Sequence, residues 1–397
     1  MWRVLLSVTK IRLIERWRYT PGAYSHDLRF DLMRGYFVLV MTIDHLGTFP
    51  AWTIVFTGDT QLWVSAAEGF VLISGILLGL LYRRRIDEKG WRWSRWHIGR
   101  RTAVLYALGV VGQIILTTGD YLLRLFRGRA SGLPTNYLEL VENALFQIRD
   151  PFRGVDLLPL YAVLLPCGLA ALYLIKNGKW RWALAGSILI WYVARLDPSV
   201  LNIFRLTFRP AIWQLLFIIG VMAGYYQEQL RYRWRHPPIP RGLASLLLIS
   251  SAAALLVISY QVAYNHLWPD VEWLSFRGSL FNRGMLGVGR IVVSIWVFAG
   301  MYELATLIWV PLKRLIGWLL IPLGQKSLIA YIVQAFLTYA VTRLPGFPFP
   351  DHDPTLMGFL HLAAVLAVWF ATGFIARLMP KVRRWIQLHG SALAKTT

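Results

Sequence analysis

The chain has 397 residues, of which 56% are hydrophobic and only 16% charged, with a mean hydropathy of +0.49. Soluble proteins carry about a quarter charged residues, so a water-soluble domain, a disordered chain, a coiled coil and a secreted disulfide scaffold are excluded. The net charge of +22 falls in bursts between apolar runs, at Arg83, Arg84 and Arg85, at Arg231, Arg233 and Arg235, and at Arg383 and Arg384; that is the layout of membrane-helix flanks, not of a nucleic-acid surface.

Taken in chain order, residues 1–30 read as a cytoplasmic-face segment. Residues 3–17 mix basic and apolar side chains between Trp2 and Trp17, which predicts an amphipathic interfacial helix rather than a cleaved signal peptide. Crossing the hydrocarbon core takes about 20 mostly apolar residues. Segments near that length run from 33 to 50, 62 to 82, 102 to 118, 155 to 175, 180 to 196, 211 to 227, 243 to 264, 288 to 310, 318 to 342 and 356 to 378. The expected fold is an all-α integral membrane protein of about ten transmembrane helices. It forms a single polytopic domain over residues 31–379, followed by a basic cytoplasmic tail over 380–397.

An even number of crossings puts both termini on one side. Arg3, Lys10, Arg12, Arg16, Arg18 and the basic run from Arg83 to Arg101 make that side the cytoplasm, while the outer loop 51–61 holds no Lys or Arg. The outer loop 119–154 departs from the rule with Arg124, Arg127, Arg129, Arg149 and Arg153, and its stretch from Leu138 to Phe146 reads as a second interfacial helix. No internal repeat of the kind found in many transporters is visible. The single cysteine, Cys167, offers neither a disulfide framework nor a cysteine metal site, and no metal is expected.

Ionisable side chains inside apolar spans are costly and mark function by default. The first span carries Arg29, Asp31, Arg34, Asp44 and His45. Arg34 and His45 are eleven residues apart, which on a helix is within about 20° of one face with a rise of ~16 Å. A guanidinium thus lies near the inner surface and an imidazole toward the outer half. Glu68 in the second span sits at a depth comparable with His45. A carboxylate that reaches an imidazole fixes its tautomer and stabilises its cation, as a general base requires; Asp44 and Asp156 are the other carboxylates placed to do so. At the cytoplasmic mouth of the third span, Arg100 and Arg101 suit the phosphates of a cytosolic donor or serve as a positive-inside flank. Trp213, Gln214 and Gln334 are polar positions able to line a cavity, and Arg290 at the outer edge of the eighth span reads as snorkelling. Walker, zinc-helix, serine-elbow and dinucleotide motifs are all missing.

The segment Arg29-Phe-Asp31-Leu-Met-Arg34-Gly35 through Asp44-His45 resembles the first helix of the membrane acyltransferase-3 superfamily, whose signature is a basic residue, ten intervening residues and a His. Glu68-Gly-Phe-Val-Leu-Ile-Ser74-Gly75, Val155-Asp156-Leu-Leu-Pro159-Leu-Tyr161 and Pro210-Ala-Ile-Trp213-Gln214-Leu-Leu-Phe217 are similar to the OpgC branch of glucan-modifying succinyltransferases. Leu323-Gly324-Gln-Lys-Ser327-Leu-Ile-Ala-Tyr331 is similar to the penultimate helix of the wider superfamily.

The resemblance implies a lipid-embedded O-acyltransferase of the bacterial inner membrane. It would move a succinyl or acetyl group from cytosolic acyl-CoA, a co-substrate rather than a resident cofactor, to a hydroxyl of a glycan or similar extracytoplasmic acceptor. It implies His45 as the catalytic base with Arg34 its motif partner, and Arg100 and Arg101 as candidates for the CoA phosphates. One departure is Gln334, where relatives often have His. The competing readings are a relative of the heparan-type transmembrane N-acetyltransferases and a proton-coupled transporter or flippase using His45 and Glu68.

Overall fold

The computed structural model describes residues 16–20, 26–47, 50–58, 61–127, 145, 155–197, 208–264, 274, 278–345, 347 and 353–393, with side chains up to residue 380. The interfacial helices expected over 3–17 and 138–146 lie outside these residues, apart from Arg16, Trp17 and Leu145. Every described element is helical: α1 (Leu28–Leu46), α2 (Ile54–Thr57), α3 (Ala66–Phe126), α4 (Leu157–Lys176), α5 (Trp180–Leu196), α6 (Pro210–Tyr225), α7 (Gln227–Arg235), α8 (Arg241–Tyr264), α9 (Val288–Leu307), α10 (Trp309–Leu315), α11 (Gly317–Gln325), α12 (Ser327–Thr342) and α13 (Pro354–Leu393).

Each of the apolar segments read from the sequence falls on helix, with shifted ends. α1 starts at Leu28, earlier than expected, because Asp27 caps it by accepting from the Arg29 backbone N–H, and it stops before Gly47, whose φ is 65°. Five helices are long and apolar enough to cross a membrane: α3, α4, α8, α9 and residues 354–380 of α13. The remaining expected spans are short of that standard for identifiable reasons. α1 carries Arg29, Asp31, Arg34 and Asp44 in its 19 residues, while α5 and α6 are 17 and 16 residues long. α3 merges two expected spans into 61 residues bent at Gly90, whose φ of 76° and ψ of 172° are open to glycine at little cost. The expected span from 318 to 342 is two helices, α11 and α12, bent by 99°; Pro322 and Gly324, the poorest helix formers, precede the break.

The chain divides into two compact units, Met1–Asp59 with Ala305–Thr397, and Thr60–Leu304. In the first, α1 packs on α11, α12 and α13. Glycines set the α1–α11 approach: a methyl on Gly35 would strike the Leu320 carbonyl, and one on Gly324 the Asp31 carbonyl. Around this contact Leu28, Leu32, Tyr19, Trp309 and Leu320 form a buried cluster.

In the second unit, the first half of α3 packs on α6 through two facing Gly-x-x-x-Gly pairs, Gly75 with Gly79 and Gly220 with Gly224. Such small residues let membrane helices touch backbone to backbone. α4 lies against both helices and α5 against α6. The outward faces stay apolar: Leu189, Leu246, Val257 and Val292 are exposed in this unit, as are Phe359 and Phe370 in the first, as a surface facing lipid tails requires.

Candidate active site

Polar side chains are concentrated on α1, and local geometry pairs most of those near its start. Arg29 is clasped by Asp27 (Nε to Oδ1 2.8 Å, Nη2 to Oδ2 2.6 Å), donates from Nη1 to Thr306 Oγ1 (2.6 Å) and lies 4.1 Å from the Tyr19 ring centre. Asp31 is buried and pairs with Arg34 one turn on and with His26 Nε2 (2.5 Å). The motif residues Arg34 and His45 thus have separate surroundings, as their ~16 Å rise along one helix demands.

His45 occupies the last turn of α1, half-buried beside Asp44. Its Nδ1 is 3.2 Å from Oε1 of Gln334, a fully buried residue in the middle of α12. The amide oxygen can only accept, so the contact is a hydrogen bond in the tautomer that carries the proton on Nδ1, the one whose Nε2 bears the lone pair. Nε2 of Gln334 is buried with no hydrogen-bond partner among the described residues.

The same unit holds a second imidazole that sequence reasoning missed. His361 on α13 is fully buried, with Nδ1 2.6 Å from the hydroxyl of Thr53, itself buried just beyond the end of α1. One turn earlier, Gly358 presses on the Trp52 ring so closely that a methyl there would overlap it. The 50–58 segment is held from the other side by Tyr36, whose hydroxyl donates to the Phe56 carbonyl (2.7 Å). The signal for His361 was present, since it is an ionisable side chain within an apolar run.

The other candidates belong to the second unit. Glu68 and Arg290 form an ion pair with both side chains fully buried. The second carboxylate oxygen of Glu68 takes the Ser65 backbone N–H (2.8 Å) and the Ser65 hydroxyl, a capping box at the start of α3. Arg290 also donates from Nη1 to the Leu62 carbonyl (3.0 Å). Arg290 therefore does not snorkel; it is drawn in because Glu68 offers a buried counter-charge. Glu303, also unremarked in the sequence, accepts from Ser245 Oγ (2.7 Å) and Trp234 Nε1 (3.1 Å).

Gln214 has its amide engaged in joining α5 to α6, donating to the Ser187 and Ala211 carbonyls (2.7 and 3.2 Å) and accepting from Ser187 Oγ (2.6 Å). Trp213 is buried edge-on against Phe208, and Asp156 is buried at the cap of α4. Arg100 and Arg101 are exposed, Arg100 with its guanidinium 5.6 Å from the Trp96 ring centre. Among the described residues no cluster of three or more His, Cys, Asp or Glu is arranged to hold a metal ion.

A family model described as OpgC protein matches residues 26–384. The chain belongs to the OpgC family. As an OpgC-family protein it is a multi-pass membrane protein with a membrane acyltransferase-like role. No curated protein and no solved structure matches it. The match takes in both imidazoles, the Glu68–Arg290 pair and Gln334, so all of these lie in the family's own region of the chain.

Proposed function

We propose that this OpgC-family protein is an O-acyltransferase of the bacterial inner membrane. It crosses the bilayer about ten times with both termini in the cytoplasm, and moves a succinyl or acetyl group from cytosolic acyl-CoA to a hydroxyl of an extracytoplasmic glycan or similar acceptor. The observation that carries the reading is the His45–Gln334 contact. With Nδ1–H committed to the amide oxygen, Nε2 takes the proton of the acceptor hydroxyl as its oxygen attacks the thioester carbonyl. The tetrahedral intermediate then collapses, the C–S bond breaks, and the CoA thiolate recovers that proton from the imidazolium. Positioned proton transfer of this kind contributes about 10²–10⁴ in rate.

His45 lies in the last turn of its helix, where the carbonyl end of the macrodipole favours the transient positive charge. Gln334 acts through His45 and is a positioning residue. Arg100 and Arg101, exposed on the basic cytoplasmic stretch, suit the phosphates of CoA.

The test is transfer from radiolabelled acetyl- and succinyl-CoA to a mixed glycan acceptor in membranes containing the protein. His45→Ala at matched expression should lose at least 10²-fold in turnover. Arg100→Gln with Arg101→Gln should raise KM for acyl-CoA with little change in kcat. Turnover that survives His45→Ala overturns the mechanism; absence of turnover with His45-dependent solute flux overturns the class.

A further inference from the structure

The second unit contains an arrangement of arginines that the acyl-transfer reading does not use. Arg195, near the end of α5, donates from Nη2 to the Ser279 carbonyl (3.1 Å) and from Nη1 to the Met285 carbonyl (3.4 Å), with its guanidinium 5.0 Å from the Trp191 ring centre. Arg209, which immediately precedes α6, donates from Nη1 to Met285 Sδ (3.0 Å). Two guanidiniums thus converge on one residue, and every acceptor they have there is an uncharged carbonyl or thioether. Neither forms an ion pair with an acid among the described residues. The Glu68 carboxylate in the same unit is already spent on Arg290.

The turn that collects these arginines is rigid. Met285 N–H bonds to Asn282 Oδ1 (2.9 Å), Gly287 N–H to the Asn282 carbonyl (3.0 Å) and Gly289 N–H to the Leu280 carbonyl (3.1 Å). Trp191 Nε1 donates to the Leu286 carbonyl (3.2 Å), and Leu286 has a φ of 41°, the only positive value at a non-glycine among the described residues. Backbone strain of this kind persists only where neighbours over-determine it, and it concentrates at binding sites. Both arginines are half-buried, so their unused N–H groups remain reachable. Like charges gathered on a fixed turn, with no carboxylate on them among the described residues, are stabilised by an anion that bridges them.

We propose that Arg195 and Arg209, across the Met285 turn, form a binding site for a phosphate- or carboxylate-bearing group. In the topology proposed above this site faces outward, where the anionic group belongs to the acceptor. The placement rests on that reading, whereas the anion site itself does not. An acidic lipid headgroup is the other source of the same chemistry.

The experiment uses the full-length protein in phosphatidylcholine nanodiscs, titrated with inorganic phosphate against chloride at constant ionic strength. Binding is followed by the thermal midpoint and by tryptophan emission, Trp191 lying beside Arg195. Phosphate, and not chloride, should give a saturable rise in midpoint. Arg195→Gln and Arg209→Gln should each weaken the apparent affinity by about tenfold, the usual worth of one charged hydrogen-bonded partner. Where a Gln variant fails to fold, Arg195→Lys and Arg209→Lys keep the charge, lose the planar fork and should bind several-fold more weakly. In phosphatidylglycerol nanodiscs, a raised midpoint and a lost phosphate response, both dependent on the two arginines, would establish the site with a lipid headgroup as occupant. Equal responses to phosphate and chloride, or a phosphate response unchanged in the variants, would overturn the proposal. These readouts involve no turnover, so failure of the acyl-transfer reading and failure of this site are distinguishable.

Discussion

Replacing Glu68 with Met while Arg290 stays in place strands a guanidinium that the fold shields completely from solvent. Removing one partner of a buried pair costs about 3–5 kcal/mol. The Ser65 capping box is lost in the same step, adding about 1 kcal/mol. The sum is about 4–6 kcal/mol, and at about 2 °C per kcal/mol for a unit of this size the midpoint falls by about 8–12 °C. Arg290→Met leaves Glu68 with Ser65 alone and should lower it by about 6–10 °C on the same scale.

The decisive variant is the double, Glu68→Met with Arg290→Met. An apolar pair of similar volume removes both desolvation penalties, so the double should be more stable than either single. The assay is unfolding of the detergent-purified protein followed by tryptophan fluorescence at one fixed scan rate, since membrane proteins of this size unfold irreversibly. A double variant whose loss equals the sum of the singles, or single variants that melt with the wild type, would refute the reasoning. Glu68→Gln that keeps its midpoint and loses turnover would instead make Glu68 part of the chemistry.

Two further outcomes test helix packing and the His361 hydrogen bond. Gly324→Ala should cost at least about 1–3 kcal/mol, because its methyl meets the Asp31 carbonyl, whereas Gly186→Ala, facing open space on α5, should gain about 0.5–1 kcal/mol; thermal midpoints of the two compared with wild type decide it. Thr53→Val should cost about 1–3 kcal/mol by leaving His361 Nδ1 without its hydroxyl, and almost nothing in a His361→Leu background, a coupling that a double-mutant cycle measures directly.

Helix positions were legible because a long apolar run has few alternatives; the ends of α1 were not, because Asp27 caps it ahead of the apolar run read from 33 to 50 and Gly47 stops it within that run. The α11–α12 bend was not legible: its apolar run is continuous, and the break declares itself only as a proline and a glycine in a stretch that hydropathy reads as one span. His45 and Glu68 were identified as ionisable groups out of place, which is a local property. Their partners were not, because Gln334 is 289 residues from His45 and Arg290 is 222 residues from Glu68. A neutral amide in a span carries little signal, and an arginine at a span edge looks like snorkelling until its buried acid is known. His361 needed only the rule already applied to His45.

The separation of His45 from Gln334 also orders events during synthesis. At about 5–20 residues per second, the ribosome takes roughly 15–60 s to travel from one to the other. Throughout that interval α1 waits without the helices that complete its unit. Its charges are prepared for the wait: Arg29 has Asp27 and Arg34 has Asp31, each within three residues, so the first half of the helix is neutralised by its own sequence. The imidazole has no such local arrangement with Gln334. The His45–Gln334 contact is therefore completed only by the last third of the chain to be made.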